Sequence, residues 1–178
     1  MKLTSPAFAS GTPIPAAYTQ DGANLSPPLA WSDVPAGTRS FVLTCFDPDV
    51  PRLTWYHWAL FNLPTGILAL PEGISGSASI LDAIEATNDF CRAGYDGPSP
   101  PPGHGRHRYC FRLLALDVPA LPLSRHCCSA SVEAAAEAHA IAEAELVGIY
   151  ARESLRSPVP LPGRAFMPES SWAASPDF

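Results

Sequence analysis

Three apolar runs along the chain have the length and composition of buried β-strands. Residues 41–46 are almost wholly apolar and stop at Asp47-Pro48-Asp49, so they predict a strand that is buried on both faces. A second, aromatic-rich run covers residues 55–62, and a third covers residues 109–116. Because only seven residues, Pro48 to Thr54, lie between Asp47 and the start of the second run at Trp55, we expect these two strands to lie close together.

One later segment has the pattern of a long helix. Apolar side chains recur in residues 131–152 at spacings of three and four, which is typical of an amphipathic helix. Ser131 is a suitable N-cap, and the charges of Glu133 and Arg152 suit the first and last turns. We therefore predict one helix over residues 131–152, and its apolar stripe is Val132, Ala135, Ala136, His139, Ala142, Leu146, Ile149 and Tyr150.

The rest of the chain is rich in proline, with 21 prolines among 178 residues. Since proline breaks helices, this composition favours many short strands joined by turns and excludes a helical bundle. The Gly/Pro-rich residues 94–105 must form a loop. We expect a single domain over residues 1–157 and a Pro-rich tail over residues 158–178. We expect the tail to be disordered, and the alternative is that its Phe166, Trp172 and Phe178 dock on the domain or on a partner.

The net charge of −6 argues against general nucleic-acid binding and against a basic membrane-binding patch. No run of about 18 apolar residues is present, so no membrane insertion is expected. The first residues lack the apolar stretch of a secretory signal, and the five cysteines show no CxxC pair. These features predict a cytoplasmic protein with reduced thiols. We assign no function to Cys127-Cys128.

Candidate chemistry is concentrated where the predicted strands begin or end. Asp47 and Asp49 follow the first strand, His57 lies in the second, and His107 and Tyr109 alternate at the start of the third. Alternation directs His107 and Tyr109 to one face and Arg108 to the other, where Asp49 is its expected partner. We expect a nearby carboxylate to raise the proton affinity of the histidines, since protonated imidazole is a double donor. These side chains predict a small polar pocket for a phosphate or carboxylate group.

These residues also lie in motifs that resemble the phosphatidylethanolamine-binding proteins, in their bacterial Raf-kinase-inhibitor-like branch. The resemblance covers roughly residues 1–153. Three features depart from it: Cys91 stands where glycine is expected, the segment from Pro51 to Trp55 is short, and the tail from about Ser154 exceeds the usual bacterial pattern. The motifs occur in the family's order and include Asp21-Gly22-Ala23-Asn24-Leu25-Ser26-Pro27-Pro28, Asp47-Pro48-Asp49-Val50-Pro51, Trp55-Tyr56-His57-Trp58, Gly94-Tyr95-Asp96-Gly97-Pro98-Ser99-Pro100-Pro101 and His107-Arg108-Tyr109.

The resemblance implies a large central β-sheet packed on a smaller sheet, with few peripheral helices. It implies an anion pocket at the strand ends, and it adds Pro51, Pro100 and Pro101 to the ligand-binding residues. Relatives bind phosphorylated head groups, nucleotides or small anions, and some inhibit kinases or proteases. Bacterial relatives also imply a possible homodimer.

Three functions remain open from the sequence. The leading hypothesis is non-enzymatic binding of small anionic or phosphorylated ligands, without a cofactor. The second is an enzyme in which His57, His107 and Asp47 form a facial-triad metal site or supply acid–base chemistry with Tyr109. The third is an inhibitor of a kinase or hydrolase that acts through the pocket rim.

Overall fold

The computed structural model describes residues 1–77 and 83–153. The protein is mainly β, with 36% strand and 8% helix, as the proline content predicts. The described strands are β1 (Lys2–Thr4), β2 (Thr12–Pro13), β3 (Leu29–Ser32), β4 (Ser40–Asp47), β5 (Trp55–Leu63), β6 (Ala69–Leu70), β7 (Ile84–Glu85), β8 (His107–Leu116) and β9 (Ala140–Tyr150). They are accompanied by the α-helix α1 (Ser129–Glu137) and by a 3-10 turn at Ala16–Tyr18.

Two sheets form the body of the protein. The large sheet has six strands in the order β2-β9-β8-β4-β5-β7, and the small sheet has three in the order β1-β3-β6. Neighbouring strands are antiparallel except for β2, which runs parallel to β9. The three predicted strands are confirmed and occupy the centre of the large sheet as β4, β5 and β8. The predicted packing of a large sheet on a smaller one is also confirmed.

Alternation along the central strands gives the large sheet two buried faces. Phe41, Leu43 and Cys45 of β4 pack towards the small sheet in one hydrophobic core. Val42 belongs to a second core, which the helix covers with Val132 and Ala136 among others. This explains why residues 41–46 are almost wholly apolar, because a strand between two packed layers has no solvent-facing side.

The predicted helix over residues 131–152 is wrong in its second half. The helix α1 ends at Glu137, and residues Ala140–Tyr150 form the strand β9. This strand pairs with β8 in an antiparallel ladder that reaches from His107↔Tyr150 to Leu116↔Ala140. The residues of the predicted apolar stripe therefore do not share one face. Leu146 and Ile149, for example, lie on opposite faces of the sheet.

The predicted ends of that helix are also corrected. The N-cap residue is Cys128, and Ser131 is a residue of the helix whose hydroxyl lies 3.1 Å from the Cys128 sulfur. No acidic residue lies in the first turn of α1, so Glu133 does not have the predicted role there. Arg152 follows β9 and forms an ion pair with Asp21.

The predicted tail over residues 158–178 lies outside the described residues. None of the described helices is both long and apolar enough to cross a membrane.

Candidate functional site

Three central strands bring their functional ends to one edge of the large sheet. Asp47 ends β4, whereas Trp55 begins β5 and His107 begins β8. Because β4 is antiparallel to both neighbours, the end of β4 and the starts of β5 and β8 meet. An open cavity of about 230 Å³ lies at this edge.

The cavity brings together most of the residues predicted from sequence. Asp47, His57, His107 and Tyr109 line it together with Pro100 and Pro101. The four polar residues are only 2%, 3%, 5% and 1% exposed, respectively, so their side chains form its inner wall. Pro51 does not line the cavity and is exposed in the turn after β4. The adjacent Val50 takes its place.

Sequence reasoning did not assign four residues of the cavity wall. Val50, Trp55 and Ser99 lie within the family motifs, which was a usable signal for them, whereas Phe90 lies outside every motif. Phe90 packs edge-on against His57, with ring centroids 5.3 Å apart, and against Trp55 at 5.5 Å. The four additional wall residues are Val50, Trp55, Phe90 and Ser99.

His57 reaches the cavity because the strand β5 has an irregularity at this residue. Cys45 pairs with Trp58 and Phe46 pairs with Tyr56, so His57 is an extra residue opposite β4. A bulge of this kind redirects a side chain relative to regular alternation. The His57 ring thereby lies against the Tyr109 ring, with centroids 5.1 Å apart and planes at 80°.

The His57 ring is held by backbone. Its Nδ1 lies 2.6 Å from the carbonyl oxygen of Asp96, and the Asp96 N–H donates to the His57 carbonyl at 3.0 Å. A carbonyl oxygen can only accept, so Nδ1 carries the proton of this bond. Burial lowers the pKa of His57 below its usual 6.5, while the Asp96 carbonyl and the Asp47 charge oppose the shift. The raised proton affinity expected from sequence is therefore wrong for His57.

The Asp96 side chain turns away from the His57 imidazole and fixes the loop. Its carboxylate accepts hydrogen bonds from Asn88 at 2.8 Å and from Arg92, with which it forms an ion pair. Asn24 also donates to it at 3.3 Å. These contacts satisfy the buried carboxylate, so Asp96 positions its own carbonyl for His57.

His107 has a different partner from His57. Its Nδ1 lies 2.7 Å from Oδ2 of Asp47, and both side chains are nearly fully buried. The other Asp47 oxygen accepts from the backbone N–H of Asp49 at 2.8 Å. The pair is thus oriented by the turn after β4, and Asp47 can balance the positive charge of a protonated His107 ring.

Tyr109 contributes a neutral hydroxyl. Burial, with the charge of Asp47 as a further cause, raises the pKa of this phenol well above its ordinary value, and a hydrogen bond from the Ser99 backbone opposes the shift. The hydroxyl therefore keeps its proton near neutral pH and can donate to a ligand.

The predicted partnership of Arg108 with Asp49 is present in the structure. The Arg108 guanidinium donates to both carboxylate oxygens of Asp49, at 3.0 and 2.7 Å, and its backbone N–H donates at 2.9 Å. These hydrogen bonds lower the pKa of the Asp49 carboxyl. The pair ties the start of β8 to the turn after β4 outside the cavity.

Two residues of the cavity loop have constrained backbones. A Cβ on Gly97 would lie 2.3 Å from the Tyr18 carbonyl oxygen, so only glycine fits this close approach. Cys91, at the position where the resemblance leads us to expect glycine, has a φ of 61°. That left-handed conformation is the physical reason for the glycine preference.

The cavity combines polar groups at its inner wall with apolar surroundings. Such a site can hold a small polar head group and exclude water around it. Within residues 1–77 and 83–153, no three His, Cys, Asp or Glu side chains are grouped to hold a metal ion. The facial-triad interpretation of His57, His107 and Asp47 therefore gains no geometric support, since Asp47 faces Nδ1 of His107.

Comparison with known proteins gives one consistent family. A family model described as phosphatidylethanolamine-binding protein matches residues 4–151. The UPF0098 protein of Aquifex aeolicus is 40% identical over 153 residues, covering 86% of this chain and 90% of that protein. The UPF0098 protein YbhB of Escherichia coli is 40% identical over 158 residues, covering 84% of this chain and 99% of YbhB. These names carry no specific function.

Solved structures agree with the sequence relatives. The crystal structure of E. coli YbcL, described as a new member of the mammalian PEBP family, has a TM-score of 0.81 at 32% identity and covers 85% of this chain and 98% of YbcL. The structure of the PEBP homologue CT736 from Chlamydia trachomatis has a TM-score of 0.75 at 39% identity and covers 85% of this chain and 97% of CT736. The family model, the relatives and the fold together show that this chain belongs to the phosphatidylethanolamine-binding protein family.

Proposed function

We propose that this protein binds small anionic or phosphorylated ligands in the cavity at the ends of β4, β5 and β8, without chemical conversion of the ligand. One observation carries the proposal. Two buried imidazoles, His57 and His107, line the same open cavity, and each is fixed through its Nδ1 atom. Their Nε2 atoms are the ring nitrogens left for a ligand.

The polar groups of the inner wall suit an anion. The His107 ring can donate through Nε2 while Asp47 stabilises its positive charge, and the Tyr109 hydroxyl is a neutral donor. A hydrogen bond to a charged partner contributes about 1.5–3 kcal/mol when both groups are buried. Two such donors are enough for weak but specific binding of a small head group.

The shape of the cavity limits the bound part of the ligand. A volume of about 230 Å³ admits a phosphate or carboxylate with a short carbon chain. Trp55, Phe90 and Pro101 supply apolar walls for that chain. Larger ligands such as nucleotides or lipids would place only their phosphorylated group inside, and the remainder would lie across the rim.

Calorimetry with phosphorylethanolamine, inorganic phosphate and acetate tests the proposal. We expect a dissociation constant below about 1 mM for at least one of them, which corresponds to about −4.1 kcal/mol. His107→Ala should weaken that binding by about tenfold or more. The matched control is His139→Ala, which removes an exposed histidine from outside the cavity.

The proposal fails if none of the three ligands binds below that concentration. It also fails if His107→Ala and His139→Ala retain the same affinity as the wild-type protein.

A further inference from the structure

We propose that the outer edge of β9 binds a lysine- or arginine-rich segment of a partner protein, which adds to the large sheet as an extended antiparallel strand. The outer edge is the side of β9 that faces away from β8. The proposal concerns a surface outside the ligand cavity and does not depend on the function proposed for that cavity.

Most of the outer edge of β9 has no neighbouring strand. The strand β2 lies on this side but pairs only with Gly148 and Ile149, near the end of β9. The chain just before β2 binds the backbone of Val147. Within residues 1–77 and 83–153, no strand pairs with the outer edge of residues 140–146.

The backbone of Val147 shows which groups point outwards. Its carbonyl accepts from the Gly11 N–H at 2.7 Å, and its own N–H donates to the Ser10 hydroxyl at 3.3 Å. Because alternate residues of a strand direct their backbone groups to the same side, the N–H and C=O groups of Glu145 and Glu143 also point outwards. The ladder with β8 is regular at both positions. These four groups form an open template for another strand.

The side chains along this edge are strongly acidic. Glu143 binds Arg112 at 2.7 Å, and Glu145 lies opposite Arg112 in the strand register. Arg112 also binds Glu133 at 2.6 Å and Glu137 at 3.1 Å, from the helix side. One guanidinium is therefore shared among several carboxylates. Glu143 and Glu145 remain exposed, so an incoming strand meets an excess of negative charge.

This charge selects a basic partner. In an antiparallel pair, residues directly opposite each other have their side chains on the same face, with Cβ atoms about 4.5–5.5 Å apart. Lysine or arginine opposite Glu143 and Glu145 would form cross-strand ion pairs. A second copy of β9 could not supply them, because residues 140–150 contain no lysine or arginine. Like charges opposite each other destabilise a strand pair.

The test uses a seven-residue peptide of alternating lysine and valine, acetyl-KVKVKVK-amide, and measures its binding by calorimetry. In the proposed register the lysines opposite Glu143 and Glu145 direct their N–H groups towards β9, whereas the valines direct theirs away. Methylation of the lysine backbone nitrogens therefore removes the donors to β9 at unchanged charge. We expect this peptide to bind about tenfold more weakly or worse. The peptide methylated at the valine nitrogens should stay within about threefold of the parent.

A pair of variants tests the ionic contribution. Glu145→Gln should weaken binding of the parent peptide by about two- to fivefold, since it removes one cross-strand charge pair. Glu153→Gln is the matched control, because it removes the same charge from an exposed residue beyond the end of β9. We expect it to leave the peptide affinity unchanged. Neither variant should alter the affinity for phosphorylethanolamine.

Each outcome decides the proposal. Binding that is lost on lysine methylation and kept on valine methylation supports it. Equal binding of the two methylated peptides, or the reverse preference, overturns it, as does a parent peptide that does not bind below about 1 mM. Equal weakening by Glu145→Gln and Glu153→Gln also contradicts it. A dimer in sedimentation that the peptide dissociates would assign the edge to a second copy and would likewise overturn it. The peptide comparison uses the wild-type protein, so it does not depend on the folding of a variant.

Discussion

Replacing Asp47 with asparagine tests whether the buried carboxylate holds the imidazole of His107 in place for the ligand. Asp47 is 2% exposed and accepts two hydrogen bonds, one from His107 Nδ1 at 2.7 Å and one from the Asp49 N–H at 2.8 Å. Asparagine has nearly the same volume but only one acceptor oxygen. Asparagine can therefore accept only one of these two hydrogen bonds, and its NH₂ group faces the donor of the second.

The size of the effect follows from these two contacts. If the oxygen stays with the Asp49 N–H, the amide NH₂ group faces His107 Nδ1 and the hydrogen bond that fixes the ring is lost. The ligand then meets an imidazole that is no longer held by a carboxylate, and the loss of one hydrogen bond corresponds to about 1–1.5 kcal/mol, or roughly 5- to 12-fold in affinity. The unfolding free energy should fall by about 1–3 kcal/mol, because a buried donor loses its partner or the pair loses its charge.

The assay is calorimetric titration with phosphorylethanolamine, accompanied by urea unfolding. Asp49→Asn is the matched control, since it makes the same change two residues away at the exposed Arg108 pair. Exposed ion pairs contribute about 0–1 kcal/mol. We therefore expect Asp49→Asn to leave the affinity within about twofold of the wild-type value. The reasoning is refuted if Asp47→Asn binds as tightly as the wild-type protein, or if both substitutions weaken binding equally.

Three further predictions concern other parts of the molecule. Tyr109→Phe should weaken phosphorylethanolamine binding by roughly fivefold and change the unfolding free energy by less than about 1 kcal/mol; unchanged affinity in calorimetry would contradict the role of the hydroxyl. Arg112→Met should destabilise the protein by about 3 kcal/mol in urea unfolding, because it leaves the buried Glu133 carboxylate without its cation; ligand affinity should not change, since this pair lies on the helix side of the sheet. The lowered pKa of His57 predicts that unfolding free energy decreases as pH falls below about 6.5, where the unfolded chain gains a proton before the folded chain does; urea unfolding between pH 7 and pH 5 should show a shallower decrease in His57→Gln.

The central strands were predictable because their burial is reflected in local sequence. Residues 41–46 and 109–116 lie within β4 and β8, and residues 55–62 lie within β5. Prolines and turn residues set their ends. The convergence of Asp47, His107 and Tyr109 followed from simple alternation, because β4 and β8 pair without a register shift.

The position of His57 could not be predicted by the same argument. Regular alternation from Trp58 would direct His57 to the opposite face of β5, where the helix lies. The extra residue opposite β4 changes that direction. Its anchor, the Asp96 carbonyl, is a backbone group, so side-chain chemistry in the sequence gives no sign of it.

The error at β9 has a different cause. Residues 140–150 are rich in alanine and glutamate, which favour helices, and their apolar positions fit both a period of two and a period of 3.6. Pairing with the neighbouring strand β8 selects the strand over the helix. Ala142, Ala144 and Leu146 then face the small sheet, where Gly148 also packs closely against Ile14. Glycine, valine, isoleucine and tyrosine near the end of the segment were the available signal for a strand.

A crystal structure with phosphorylethanolamine would test the central claim most directly. The account predicts phosphate density in the cavity, with phosphate oxygens at hydrogen-bond distance, about 2.7–3.2 Å, from Nε2 of His107 and from the Tyr109 hydroxyl. Phosphate bound elsewhere, for example in the groove beside Arg106 and Tyr150, or an empty cavity at saturating ligand, would contradict it.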